Sequence, residues 1–373
     1  MTPRRRLLVG AAGRRASSAS QQLDSVCVAR LEAMRTAGTL KVEKELLGAQ
    51  GAKVSLAGVE SSVVNLCANN YLGLCDDAEV VEAAGTTLAS RGLGNASVRF
   101  ICGTSDVHKD LERKLSEFHG TEDAVLFPSC FDANAALFEA LFGKEDFVAS
   151  DALNHASIID GLRLCKARKA VFPHAAVDEA RVKLVEAKDA RLRAVVTDGV
   201  FSMDGDVARL EDLRKAADDC DALLVVDDCH GTGVVGPTGR GTPELAGVKP
   251  DILTSTLGKA LGGASGGYVA SSRAVVSVLK NAGRPYLFSN ALAPPLAAAA
   301  LKALDKVTPS LVTKLRENTH RFRDGMLRAG FAVAGHRDHP IAPVVLGDAH
   351  RAKQLADSLF GAHPVPALGR PHR

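Results

Sequence analysis

At 373 residues, of which 46% are hydrophobic, the chain can bury one large core and carry a second, smaller unit. Its 46 Lys and Arg nearly balance its 43 Asp and Glu; five of the arginines fall within residues 1–23, which hold no acid, so the remainder carries 41 bases against 43 acids. With that balance, no Trp and only three Tyr, there is neither a charge nor a stacking case for binding nucleic acid.

The opening MTPRRRLLVGAAGRRASSAS is Arg-rich, Ser-containing and acid-free. That is the composition of a mitochondrial transit peptide, and residues 1–23 are expected to act as one and direct the protein to the matrix. The stretch LLVGAAG is too short and too broken by glycine to span a membrane, and the arginines after it argue against a secretory signal. A disordered basic tail is the competing reading. Residues 24–70 are expected to form an N-terminal arm, followed by a large domain over residues 71–292.

From about residue 120, short β-rich runs alternate with amphipathic stretches, which is the pattern of a mainly parallel α/β sheet with helices on both faces. AVLF precedes the helical FDANAALFEALF, FVAS precedes SIIDGLRLCKA, and KAVF precedes VDEARVKLVEA; RAVVTD, ALLVVDD, ILTS and GGYVA follow. In such sheets ligands gather at the carboxyl ends of the strands. The polar motifs SCFDAN, SDALNHAS, TDGVFSMDG, DDCHGTG and STLGK all fall there.

Two of these strand ends carry a chemical suggestion. Lys259 lies among glycines in TSTLGKALGGASGGY, where a flat ligand can approach closely, and Asp227 closes the apolar run ALLVVDD, where an acid can hold a positive charge. Together they suit pyridoxal phosphate, with a lysine to form the Schiff base and an acid to keep the pyridine nitrogen protonated. The rival is a nucleotide-binding P-loop. It needs glycine six positions before the lysine and Ser or Thr after it, whereas this chain has Leu253 and Ala260. A dinucleotide fingerprint fails at Ala264, which occupies the place of its second glycine.

After about residue 293 the pattern changes to long helical stretches, PPLAAAALKALDKV and LVTKLRENTHRFRDGMLRAG, then a strand-like APVVLG and a helical DAHRAKQLADSLF. Residues 293–373 are therefore expected to form a smaller C-terminal domain. The eight cysteines, at 27, 67, 75, 102, 130, 165, 220 and 229, form no CxxC pair and no zinc-like grouping with histidines. They read as small buried residues of a reducing compartment, and no metal site is expected.

The longer runs CANNYLGL, SVRFICGT, SDALNHASIIDG, DGVFSMDGD, DDCHGTG, STLGKALGGASGGY and RPYLFSN closely resemble the α-oxoamine synthases, pyridoxal-phosphate enzymes of the fold-type I transferases. The wording of ICGT, LNHASIIDG, LGKALGGASGGY and PYLFSN is similar to the glycine C-acetyltransferase branch, and the resemblance runs from about residue 25 to 360. It implies the reaction of glycine with acetyl-CoA to give 2-amino-3-oxobutanoate and CoA, run also in reverse during threonine breakdown, through a Lys259 aldimine and a glycine carbanion. Sister synthases with another amino acid or acyl-CoA share the frame and remain an alternative.

The resemblance also implies roles. Lys259 matches the lysine that holds the cofactor, Asp227 the acid paired with the pyridine nitrogen, and His155 the imidazole stacked on the ring beside the substrate. His230 matches the histidine at the phenolic oxygen, and Ser202 a serine near the same ring. Cys130 and Phe131 match the turn whose amides hold the phosphate. Thr256 adds a hydroxyl, and Ser289 with Asn290 match residues that reach the phosphate from the other subunit of a homodimer. Asn70 resembles a substrate-contacting asparagine, with a turn-forming role as its rival. For His155 the rival is capping of the helix that starts near Ser157. Threonine dehydrogenase is the partner implied for supply of the ketobutyrate.

One stretch departs from the family. Where the resemblance calls for a further strand, an arginine segment that binds the amino-acid carboxylate and a closing helix, this chain reads GAHPVPALGRPHR, and neither Arg370 nor Arg373 occupies the motif. The C-terminal domain is therefore expected to be incomplete after about residue 360. A cofactor-binding or dimerising but inactive form is the second functional expectation.

Overall fold

The computed structural model describes residues 18–362, so most of the expected transit segment and the tail with Arg370 and Arg373 lie outside the described residues. The chain begins with helix α1 (Ser18–Thr36), which buries none of its side chains. A two-residue antiparallel pair follows, β1 (Lys53–Val54) with β2 (Val63–Val64). Helix α2 (Ala78–Arg91) is capped by Asp77, whose carboxylate accepts from the amides of Glu79 and Val80. One π-helical turn over Arg99–Gly103 leads to α3 (Asp106–His119).

The central sheet has seven strands: β3 (Asp123–Phe127), β4 (Phe147–Asp151), β5 (Arg168–Phe172), β6 (Arg193–Asp198), β7 (Leu223–Asp227), β8 (Ile252–Thr256) and β9 (Gly267–Ser271). Their spatial order is β3-β9-β8-β7-β6-β4-β5. β4, β5, β6, β7 and β8 pair in parallel, while β9 runs antiparallel to both β3 and β8. The expected runs AVLF, FVAS, KAVF, RAVVTD, ALLVVDD, ILTS and GGYVA each sit on one of these strands.

Alternation along the strands divides the core into layers. Val125, Phe127, Val148, Val196, Val225 and Val269 face one side. There they meet α4 (Cys130–Leu141), α5 (Ala156–Leu164), α9 (Arg273–Ala282) and α10 (Arg284–Phe288) through Leu137, Phe138, Ile158, Val276, Leu279 and Tyr286. Ala149, Val195, Leu224 and Val226 face the other side, against α6 (Val177–Glu186), α7 (Leu210–Asp219) and the short α8 (Thr242–Ala246). On that same side Leu126, Leu253 and Tyr268 pack on α3 and on α11 (Pro294–Asp305). Helices thus cover both faces. Because Ala297, Ala300 and Leu304 of α11 are buried in the cluster built on β3, β8 and β9, we propose that the large domain extends through α11 and that the smaller one begins beyond it.

Beyond α11 the elements are thin. Helix α12 (Pro309–Arg328) buries only Val312, Thr319 and Arg323, and the run APVVLG contributes two paired residues, β11 (Val344–Val345), against β10 (Ala332–Val333). The strand is shorter than the pattern suggests because Pro343 and Gly347 bracket it, and both residue types break a ladder. Helix α13 (Ala349–Ala362) closes the described chain. No described helix is long and apolar enough to cross a membrane.

Candidate active site

Parallel register places strand ends side by side. Asp198 of β6 pairs with Asp227 of β7, so two buried carboxylates lie at one edge of the sheet with Thr256 ending the adjacent β8. Asp227, 3% exposed, accepts from Asn134 Nδ2 at 2.6 Å through Oδ2 and from the Cys229 amide at 3.0 Å through Oδ1. Asn134 is itself fully enclosed in α4, and its Nδ2 is 2.9 Å from Ser157 Oγ. The Asp198 carboxyl is pushed well above the ordinary carboxylate range, by burial first and by the Asp227 charge second. Its Oδ2 accepts from the His155 amide at 2.7 Å, which fixes the entry to α5.

Asp228, next in the chain, supports the loop that leads to His230. It accepts from the Thr242 amide, Thr242 Oγ1 and Thr232 Oγ1, and burial pushes its carboxyl up to about 7. Gly241 passes so close, at φ +94°, that a Cβ there would meet Asp228 Oδ2 at 1.7 Å.

Lys259 lies near these strand ends, where its charge acts on Asp198, Cys130 and His155. Its Nζ is 2.8 Å from His230 Nε2, and His230 Nδ1 is 2.8 Å from the Tyr71 hydroxyl. The Tyr71 hydroxyl donates to Asn69 Oδ1 at 3.2 Å. This chain sets the tautomer: Lys259 donates to Nε2, so Nδ1 carries the proton and donates to Tyr71. Burial, and then the Lys259 charge, drive the His230 imidazole well below its ordinary value, which keeps Nε2 free as an acceptor. His339 Nε2 donates to the His230 carbonyl at 2.9 Å and so ties the smaller region to this loop.

Helix α4 starts at the end of β3. Ser129 caps it by accepting from the Asp132 amide at 3.0 Å, which leaves the Cys130 and Phe131 amides in the first turn, beyond reach of any intrahelical carbonyl. Gly267 presses against this turn, where a Cβ would lie 2.2 Å from the Cys130 nitrogen. Such a turn is a ready anion site.

The other expected residues divide. Thr256 Oγ1 donates to the Gly266 carbonyl at 3.1 Å and accepts from the Gly258 amide at 3.0 Å, closing the lysine loop. His155 is the N-cap of α5: Nδ1 accepts from the Ser157 amide at 3.2 Å while the residue stays exposed. Asn70 Oδ1 accepts from the Cys75 amide at 3.2 Å, so this side chain shapes a turn and its neighbour Tyr71 reaches the site. Ser202 is half-buried in the turn after β6. Ser289 and Asn290 follow α10, beside Phe288, which is 69% exposed. Of the cysteines, 130, 165 and 220 are buried as expected, but 27 and 102 are exposed.

Sequence reading passed over Asn134, Tyr71, Asp198 and His339. A signal existed for two of them: Asn134 lies one turn after Cys130 on the same helix face, and Asp198 ends a strand beside Asp227.

A mainly parallel sheet with a lysine, an acid and a helix start converging at its strand ends is what the comparisons class: the chain belongs to the aminotransferase class I and II family, which matches residues 61–367. More particularly, it is 52% identical over 352 residues to the mitochondrial 2-amino-3-ketobutyrate coenzyme A ligase of Mus musculus, covering 93% of this chain and 84% of that one. Among solved structures, Sphingomonas wittichii serine palmitoyltransferase superposes with a TM-score of 0.86 at 29% identity, covering 94% of this chain and 88% of that chain. Another serine palmitoyltransferase, solved with a PLP internal aldimine, gives 0.84 at 28% identity, covering 93% and 87%.

Proposed function

We propose that this chain is a pyridoxal 5'-phosphate-dependent acyltransferase that joins glycine and acetyl-CoA into 2-amino-3-oxobutanoate, releasing CoA, and runs the reverse reaction. The observation that carries the reading is that Asp227 and the first turn of α4 meet at the strand ends, near enough to Lys259 for its charge to act on Cys130, in a chain 52% identical to a 2-amino-3-ketobutyrate coenzyme A ligase. The donor set fits the cofactor. The Lys259 amine would hold it, Asp227 its ring nitrogen, and the Cys130 and Phe131 amides its phosphate.

When bound, the cofactor supplies an electron-withdrawing ring that stabilises negative charge on an amino-acid α-carbon. The chain's own groups do the rest. His230 Nε2, kept neutral and free as an acceptor by burial, takes a hydrogen bond from Lys259 Nζ at 2.8 Å and so positions the amine that would act as general base. Asn134 holds Asp227 through Oδ2 and leaves lone pairs on both oxygens for a cationic partner. Asp198, held by burial toward its neutral form, spares the site a second negative charge. His155 stays exposed while its Nδ1 caps α5.

The higher identity to a ketobutyrate ligase than to serine palmitoyltransferases favours glycine and acetyl-CoA over serine and long acyl donors. Purified protein mixed with glycine and acetyl-CoA is expected to release CoA, measured by a thiol reagent. Alanine and serine in place of glycine, and Lys259→Ala, should be inactive. Cofactor absorbance without any release would point instead to the inactive cofactor-binding form.

We also propose a homodimer. Phe288, Phe100 and Ile101 are 69%, 61% and 69% exposed on α10 and the π-helical turn that touches it, apolar side chains next to Ser289 and Asn290 that a second copy would cover. Sedimentation as a monomer would refute it. Residence in the mitochondrial matrix rests on the acid-free Arg-rich residues 1–23 and on the mitochondrial relative. A reporter carrying these residues that stayed diffuse in the cytosol would refute that.

A further inference from the structure

Chain folding brings together two cysteines that are far apart in sequence. One donor atom each from Cys130, Asp227 and Cys229 lie within 4.8 Å of one another, with Cys130 Sγ 3.9 Å from Asp227 Oδ2. Cys130 and Asp227 are 7% and 3% exposed, and Cys229 is half-buried. A second feature points into the same place. Thr254, 1% exposed, has a hydroxyl with no regular hydrogen-bond partner among the described residues, and that hydroxyl sits beside the Cys130 thiol.

We propose that Cys130, Asp227 and Cys229 form a site for a thiophilic divalent cation such as zinc, and that metal and pyridoxal phosphate exclude one another there. Two sulfurs and a carboxylate oxygen make up three of the four ligands zinc takes, and water supplies the fourth. Tetrahedral sulfur ligands lie about 3.8 Å apart at ordinary zinc–sulfur lengths, so the cluster needs only a small contraction. Binding displaces two thiol protons to solvent and forms two metal–sulfur bonds. The Cys130 thiolate would then accept the Thr254 hydroxyl, giving that orphaned donor a partner, as groups behind a metal ligand commonly do.

Asn134 already takes one lone pair of Asp227 Oδ2, and the Cys229 amide takes one on Oδ1. The carboxylate can turn its remaining lone pairs to a metal or to a ring N–H, and either occupant fills the same buried strand end. Soft cations would therefore hold the chain in a form that cannot take cofactor. Only this exclusion rests on the proposed function; the metal site itself does not.

Cobalt(II) tests it on the full chain freed of cofactor. Thiolate-to-cobalt charge-transfer absorption should rise to one equivalent per chain, and zinc should displace it. Cys229→Ser should abolish the band and weaken zinc binding at least about tenfold, and Thr254→Val, which leaves every ligand in place, should weaken it about tenfold. Cys220→Ser, at a buried cysteine in the other face of the sheet, should change neither and serves as the folding control. Saturating pyridoxal phosphate should remove the band. Lack of a thiolate band, or an undiminished band in Cys229→Ser, overturns the site. A band that survives saturating cofactor overturns the exclusion. Absence of cofactor absorbance in the metal-free chain would count against the proposed function and leave the metal result standing.

Discussion

The strand ends and the region after α11 are built by opposite means. The strand-end floor is held by packing: Asp227, Asn134, Ser157, Asp228 and Thr242 are all at most 3% exposed, and hydrophobic clusters lie on both faces of the sheet beneath them. The region after α11 has few buried side chains and depends on polar ties. Arg323, 4% exposed, donates Nη1 to the Ala334 carbonyl at 2.8 Å and Nη2 to those of Ile341 at 2.6 Å and His339 at 3.3 Å, and His339 in turn donates to His230. The difference teaches that the floor rests on packed layers beneath its polar groups, while the other side can be loosened by removing one side chain or adding one proton.

The largest expected effect is on the floor. Asp227→Ala removes the charge at the end of β7 and strands Asn134 Nδ2, and glycine-dependent CoA release should fall at least about a thousandfold, roughly 4 kcal/mol of barrier. The urea midpoint should move little, because the apolar layers are untouched. A large loss of stability with activity retained would reverse the assignment of roles to the two regions.

Next comes Arg323→Met, which keeps the stem and leaves the carbonyls of Ala334, Gly335, His339 and Ile341 without their donor. A loss of about 3 kcal/mol is expected, seen as faster proteolysis between residues 329 and 347. Cofactor absorbance should survive. If it vanished together with the proteolytic protection, the two regions would be one cooperative unit and the contrast would fail.

The same contrast governs what could be read from sequence. Strands β3 to β9 carry short, mostly apolar runs followed by polar motifs, so both the sheet and the placing of Asp227 and Lys259 after its strands were legible. The partners of those residues were not. Asn134 reaches Asp227 across 93 positions and Tyr71 reaches His230 across 159, and no local periodicity records such contacts. Arg323 and His339 were missed for another reason: a basic residue in an amphipathic helix and a loop histidine read as solvated, and only the fold shows that carbonyls surround the one and that the other is fully buried. The boundary expected at 293 followed the change in pattern, but α11 packs with α2 and α3 through small alanines that carry no signal of which unit they join.

A pH series tests the polar side. His339 is fully buried with Nε2 donating and Nδ1 accepting from the Ile341 amide, and burial drives its imidazole down to about 4. Between its ordinary value near 6.5 and about 4, the unfolded chain binds a proton that the folded chain refuses. The His339 contribution is therefore fully present above that window and falls with pH by up to about 1.4 kcal/mol per unit inside it. Buried His119 and His230 act in the same direction, and Asp228 and Asp198, whose carboxyls are pushed up, act in the opposite one. Urea midpoints from pH 7 to 5 should give a parent-minus-variant difference for His339→Gln that shrinks as the pH falls, since the other shifted groups are common to both chains. An unchanged slope in the variant would move the acid sensitivity elsewhere.

The smallest effect is expected where the two regions meet. Tyr71 places its hydroxyl on His230 Nδ1 and its ring edge-on to both His230 and His339, with centroids 6.1 and 6.0 Å away. Tyr71→Phe keeps the ring and its packing and removes one hydrogen bond, leaving His230 Nδ1 to water or to either tautomer. A net hydrogen bond of this kind is worth about 1 kcal/mol, so kcat should fall about fivefold with KM for glycine unchanged and the urea midpoint nearly so. The pH profile is the more telling readout. If the Tyr71 and Asn69 chain holds the proton on Nδ1, the variant's profile should differ from the parent's, because His230 can then turn a protonated Nε2 toward Lys259 and lose that hydrogen bond. A profile identical to that of the parent chain would reduce Tyr71 to a packing residue shared by the two regions, and a loss as great as that of Lys259→Ala would make its hydroxyl a participant in the proton transfer itself.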